Sequence, residues 1–171
     1  MPAHRIRAVD AIVDRIQAGR SRYEAVERAT GVPWHVTAAL HNMEASGSFA
    51  KHLHEGSPLT ARTRWVPKGR PKEGNPPFRW ETSAIDALRY DHMVAIQWNE
   101  IARALQACEA YNGTGYQRFH KDVPTPYLWS HTNLYSRGKY VADGKWSSTA
   151  VSGQTGVAAI WKRMQARKLL K

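Results

Sequence analysis

Apolar residues at Ile6, Val9, Val13 and Ile16 recur every three to four positions, which predicts an amphipathic helix over about residues 4–18. Gly19 ends it. Ser21 and Glu24 have capping-box spacing, so a short second helix carrying Tyr23 and Val26 is expected to run to Gly31. Pro33 suits the first turn of a third helix. Its apolar stripe is Val36, Leu40 and Met43, and it runs out near Gly47.

The pattern then changes. Between Gly56 and Pro77, glycines, prolines and the β-favouring run Thr60 to Val66 predict an irregular lobe with a short hairpin. Helical spacing returns over about Thr82–Tyr90 and again over about Val94–Ala110, with Trp98, Ile101 and Leu105 inward. Gly113 and Gly115 break it, and an aromatic loop follows with Tyr116, Tyr127, Trp129, Tyr135 and Tyr140. A last helix over about 154–169 carries Val157, Ile160 and Met164. The fold class expected is mainly α (α+β): one domain over 1–171 with a small β-containing lobe at about 56–77.

Composition narrows the chemistry. A chain of 171 residues can bury a core without disulfide or metal staples. Cys108, the single cysteine, allows no internal disulfide, and its place in the stretch Ile101, Leu105, Cys108 predicts a buried, inert thiol. Charges interrupt every apolar run near the N-terminus, and no stretch approaches a membrane span. The expectation is synthesis in the cytoplasm without an export signal of its own. The net charge of +11, from 25 Lys and Arg against 14 Asp and Glu, favours encounter with polyanions. Phosphate-rich envelope polymers fit that charge. Nucleic acid would too, but no RNA-recognition or zinc-finger pattern accompanies it, and Tyr23–Leu40 has only a loose helix-turn-helix look, so no nucleic-acid partner is expected. The lobe's Arg62, Arg64, Lys68, Arg70 and Lys72 read as a solvated face, with one or two available to a substrate. Eight histidines raise the question of a metal, but none stands in zinc-protease order, so neither metal nor cofactor is expected.

The third helix places Glu44 beside Met43 and one turn after Leu40, on the edge of the apolar stripe near the helix C-terminus. Desolvation and the negative end of the helix dipole both disfavour the carboxylate there, which is the condition a general acid needs. His41 is expected to orient Glu44 or to pack beneath the cleft, and His52 and His54 to hydrogen-bond around the lobe entrance.

The run Glu44-Ala45-Ser46-Gly47 resembles the lysozyme-like superfamily, in which goose-type lysozymes and soluble lytic transglycosylases carry a catalytic glutamate at a helix end in a Glu-Ser-Gly type motif. Ala110-Tyr111-Asn112-Gly113 is similar to the Ala-Tyr-Asn-Ala-Gly motif of those transglycosylases. A group of phage and bacterial lysozyme-like proteins resembles the chain further, at His41-Asn42-Met43-Glu44-Ala45-Ser46, His52-Leu53-His54, Pro58-Leu59-Thr60-Ala61-Arg62-Thr63 and Pro67-Lys68-Gly69-Arg70-Pro71. Pro126-Tyr127-Leu128-Trp129-Ser130 and Gly138-Lys139-Tyr140-Val141-Ala142-Asp143-Gly144 extend the likeness over roughly residues 30–165.

The resemblance implies a peptidoglycan muramidase or endolysin, with Glu44 protonating the glycosidic oxygen. Ser46, Thr63, Tyr111, Asn112 and Trp129 would line the sugar cleft. A second carboxylate is less direct, because Ser57 stands where such relatives have an aspartate. Glu55 is the nearest replacement, and a plain turn residue is its equal reading; Glu81 and Asp86 are later alternatives. Thr60 or Thr63 would hold a hydrolytic water. A transglycosylase route would need Glu44 alone, and a non-catalytic peptidoglycan- or nucleic-acid-binding protein that keeps the fold is the other alternative. Trp65, Tyr116, Trp129 and Tyr135 offer rings that can stack on sugars. The implied partners are peptidoglycan glycan strands and anionic envelope polymers, the latter through Lys162, Arg163, Arg167, Lys168 and Lys171. A monomer is expected, reaching the wall or periplasm from a host cytoplasm.

Overall fold

The computed structural model describes residues 3–170. In chain order it runs α1 (Ala3–Ala18), α2 (Arg20–Thr30), α3 (Trp34–Ala45), α4 (Trp80–Tyr90), a 3-10 turn (Met93–Ala95), α5 (Ile101–Asn112), α6 (Gly115–Phe119), α7 (Pro126–Trp129), β1 (Lys139–Ala142), β2 (Lys145–Ser147) and α8 (Val157–Ala166). The chain is thus mainly α with one small antiparallel hairpin. It divides into two compact units, Arg15–Ala104 and the pair of segments 1–14 and 105–171, with the boundaries falling inside α1 and α5. Among the described residues no helix is long and apolar enough to cross a membrane.

In the unit Arg15–Ala104, α2 packs against α3 and α4 around Tyr23, Val26, Leu40, Leu53, Trp80 and Leu88, all essentially inaccessible to water. Gly19 directly precedes α2, so Ser21 and Glu24 form no capping box; Glu24 instead accepts from Arg20 at 2.8 Å. Gly31 closes α2 in the left-handed conformation (φ 75°), where a glycine carries no Cβ penalty. The other unit holds α7 against α8, with Cys108, Leu128, Val157, Ile160 and Met164 buried. Burial drives the Cys108 thiol well above its ordinary pKa, which leaves it the inert core thiol expected.

Further expectations change. The hairpin does not lie in 56–77: Thr60 to Val66 forms no strand, and the only β pairing near that lobe is an isolated bridge between Lys51 and Pro58. The two strands are β1 and β2, whose two-residue turn Asp143-Gly144 has Gly144 at φ 65°, as a tight hairpin requires. The helix expected over Val94–Ala110 is broken at 96–100, and α5 turns Ala104, Ala107 and Cys108 inward while Ile101 stands 59% exposed. The C-terminal cations are partly spent. Arg163 grips Asp10 through two bonds of 2.6 and 2.9 Å, and Arg167 reaches Asp14 at 2.8 Å. Lys171 lies outside the described residues.

Candidate active site

Helix α3 is the most deeply buried helix of its unit. From Val36 to Ala45 every residue is buried except Glu44, which is half-buried and is the only acid on the helix. Immediately after it the chain reverses through two left-handed residues, Ser46 (φ 53°) and Gly47 (φ 72°), whose amides return to the carbonyls of Asn42 and His41. Ser46 itself is exposed.

A buried side chain holds this reversal. His41 lies wholly inside, one turn before Glu44, with Nε2 at 3.0 Å from the Ser48 carbonyl and Nδ1 at 2.9 Å from the Tyr23 hydroxyl. A carbonyl only accepts, so Nε2 carries the proton and Nδ1 accepts from Tyr23. Burial pushes the His41 pKa down to about 4, which keeps the ring neutral in that role. Phe49 and Trp80 pack on the imidazole with ring centroids 4.8 and 4.6 Å away. His41 therefore packs beneath the reversal and clasps it.

The next turn closes against the same helix end. His52 and Gly56 pair across it (Gly56 amide to His52 carbonyl, 3.0 Å), and His52 takes the Ser57 carbonyl at 2.8 Å. Gly56 has φ 79°, and a Cβ there would stand 2.5 Å from the Glu44 carbonyl oxygen, so only glycine fits. The backbones carrying Glu44 and Glu55 are thereby brought together. Glu55 is half-buried and turned back on its own turn: Oε1 accepts from both the amide and the hydroxyl of Ser57, while Oε2 is buried without a hydrogen-bond partner.

The two threonines part company. Thr60 is exposed. Thr63 is buried, its hydroxyl donates to the Pro67 carbonyl and accepts from the Arg70 amide, and its own amide and carbonyl bond Arg70 and Gly69. Thr63 is thus the internal staple of the loop, buried and with its hydroxyl proton already given to Pro67.

His52 and His54 are likewise committed inside. His52 Nε2 donates to the Ala61 carbonyl at 2.8 Å, and Nδ1 accepts from the Ser83 hydroxyl at 2.7 Å. His54 Nε2 meets Asp86 at 2.9 Å, and Arg70 grips the same carboxylate through two bonds. Desolvation lowers the His54 pKa against the opposing pull of Asp86. Asp86 and Glu81, the later acid alternatives, are both ion-paired, Glu81 with Arg22 at 2.5 Å. Asp86 is a structural anchor in the middle of α4.

In the other unit, Tyr111 is half-buried and Asn112 exposed at the end of α5. Asn112 lines a cleft of about 350 Å³ with Tyr116, Tyr127, Tyr140, Lys139 and Gln154. Its lining mixes amides, hydroxyls and tyrosine rings with a single cation. Trp129, expected in a loop, is the half-buried last residue of α7. Tyr135 is buried, its hydroxyl donating to Gly138 and accepting from Ser152, so it is a packing residue. Trp65 is 71% exposed.

Sequence reasoning missed Gly56, Ser83 and Tyr23 as the partners that shape this site. The signal for Gly56 was the close spacing of His52, His54 and Gly56 after the helix; nothing local announced Ser83 or Tyr23. Among the described residues no three His, Cys, Asp or Glu side chains cluster tightly enough to hold a metal ion. Comparison with family models, curated proteins and solved structures found no match.

Proposed function

We propose that the chain is a peptidoglycan glycosidase cutting the β-1,4 bond between N-acetylmuramic acid and N-acetylglucosamine, with Glu44 as general acid. The observation that carries this reading is the seat of Glu44: a half-buried carboxyl at the end of a helix whose other residues from Val36 to Ala45 are all buried. A partly shielded carboxyl on a firmly held helix end is the setting a general acid uses. The clasp by His41 and the close approach of Gly56 support it, since both fix the backbone that carries the carboxyl. The Glu44 carboxyl would donate its proton to the glycosidic oxygen as the sugar C–O bond breaks. Delivery from a host cytoplasm to the wall at lysis, as a phage endolysin, belongs to the same reading.

A second route has its own observation. Oε1 of Glu55 is held by Ser57 and Oε2 is buried, so neither oxygen is presented to a water. This favours a reaction in which Glu44 acts alone, taking back the muramoyl hydroxyl proton to close an anhydro ring. Cell-wall suspensions treated with the protein should clear, and Glu44→Gln should clear about 10²–10⁴ times more slowly. Equal clearing, or none by either, removes the assignment. Mass analysis of the fragments separates reducing ends from 1,6-anhydro ends.

A further inference from the structure

Residues 61–72 carry five cations and no acid. The structure sorts them into two sets. Arg62 turns inward to the carbonyls of Pro71 and Gly74, and Arg70 to Asp86. Arg64, Lys68 and Lys72 remain exposed. Between the first two stand Trp65 and Val66, 71% and 87% exposed, the most open pair of neighbouring large apolar residues described.

This exposure is not looseness. Thr63 ties its two ends together with bonds to Pro67, Gly69 and Arg70, and the Arg70–Asp86 pair pins the loop to α4. An aromatic and an aliphatic side chain held out into water on a braced loop lose the burial that either would gain elsewhere, about 1.5–3 kcal/mol for a side chain of that kind.

We infer that the tip formed by residues 64–68 docks on an anionic lipid bilayer. Tryptophan prefers the interface, where its ring is half apolar and its N–H stays wet. Val66 has nothing to offer a hydrated polysaccharide or a polyanion, but gains by entering the headgroup–acyl boundary. Arg64, Lys68 and Lys72 meet anionic headgroups on either side, and the overall charge of +11 steers the approach. The inference is independent of the role of Glu44.

The test is co-sedimentation of the full chain with vesicles of phosphatidylglycerol and phosphatidylcholine, against phosphatidylcholine alone. The protein should pellet with the anionic vesicles only, and added salt should weaken it. Trp65→Ser with Val66→Ser should reduce partitioning about tenfold. Arg64→Gln with Lys68→Gln should reduce it about fivefold for each charge lost. Both pairs are exposed, so the fold is not at risk. Glu44→Gln should bind like the wild type. Equal binding to neutral vesicles, no binding to either, or an apolar-tip variant that pellets like the wild type overturns the inference.

Discussion

The reversal after α3 and the loop at residues 61–72 are both short, irregular and glycine-marked, and both are held from behind by buried polar side chains. At the first, His41 spans Tyr23 and the Ser48 carbonyl. At the second, Thr63 stitches Pro67 to Arg70. What they present differs. The first leaves a single carboxyl half-open on an otherwise buried helix; the second leaves a tryptophan, a valine and cations almost fully in water. Where helix and strand end, a histidine or threonine that uses both its donor and its acceptor can define a backbone as firmly as a ladder does. What projects from the braced turn is then free to be chosen for function.

The comparison can be broken most severely at Gly56. Gly56→Ala forces a Cβ onto the Glu44 carbonyl at a positive φ, and should cost on the order of 4 kcal/mol in urea unfolding. A cost below about 1 kcal/mol would mean the two turns are not locked together.

Acid tests the first clasp directly, whereas Thr63, the staple of the second, does not titrate. The folded His41 pKa, about 4, lies below the ordinary 6.5, so the unfolded chain takes up the proton first. The stabilisation is therefore complete above pH 6.5, declines as pH falls toward 4, and is gone below it. Its size is on the order of 3 kcal/mol. His35 is also pushed down to about 4 by burial, so the informative measurement is the difference in pH slope between wild type and His41→Gln. Identical slopes would remove His41 from the account.

Thr63→Val keeps the shape of the second staple and removes its hydroxyl, leaving the Pro67 carbonyl and Arg70 amide short of a partner. A loss of about 2 kcal/mol is expected, with faster proteolysis confined to residues 63–70. The smallest effect belongs to the tip itself: Trp65→Ser should shift thermal stability by no more than about 0.5 kcal/mol, because the ring is mostly in water. A large loss would show that Trp65 packs in solution.

Much of this was legible in the chain. The spacing of Ile6, Val9, Val13 and Ile16 predicts α1, and Val36, Leu40 and Met43 predict α3 with Glu44 at its end, because helix period and burial are local properties. Thr60–Val66 misled, since its β-favouring residues are spent on a loop closed by Thr63. Ile101 misled as well: α5 packs through small residues, Ala104, Ala107 and Cys108, which an apolar count underweights.

What the sequence by itself determined is therefore the mainly helical class, the length and order of most helices, the net charge of +11, and the seat of one acid at a helix end. Only the tertiary structure decided which polar groups are spent and which are offered. Ser83 lies 31 residues from His52, Tyr23 lies 18 from His41, and Asp86 lies 16 from Arg70. A hydroxyl or carboxylate carries no mark of its distant partner in the chain. Whether it braces a turn or faces a ligand is settled when packing removes water from one side of it and not the other.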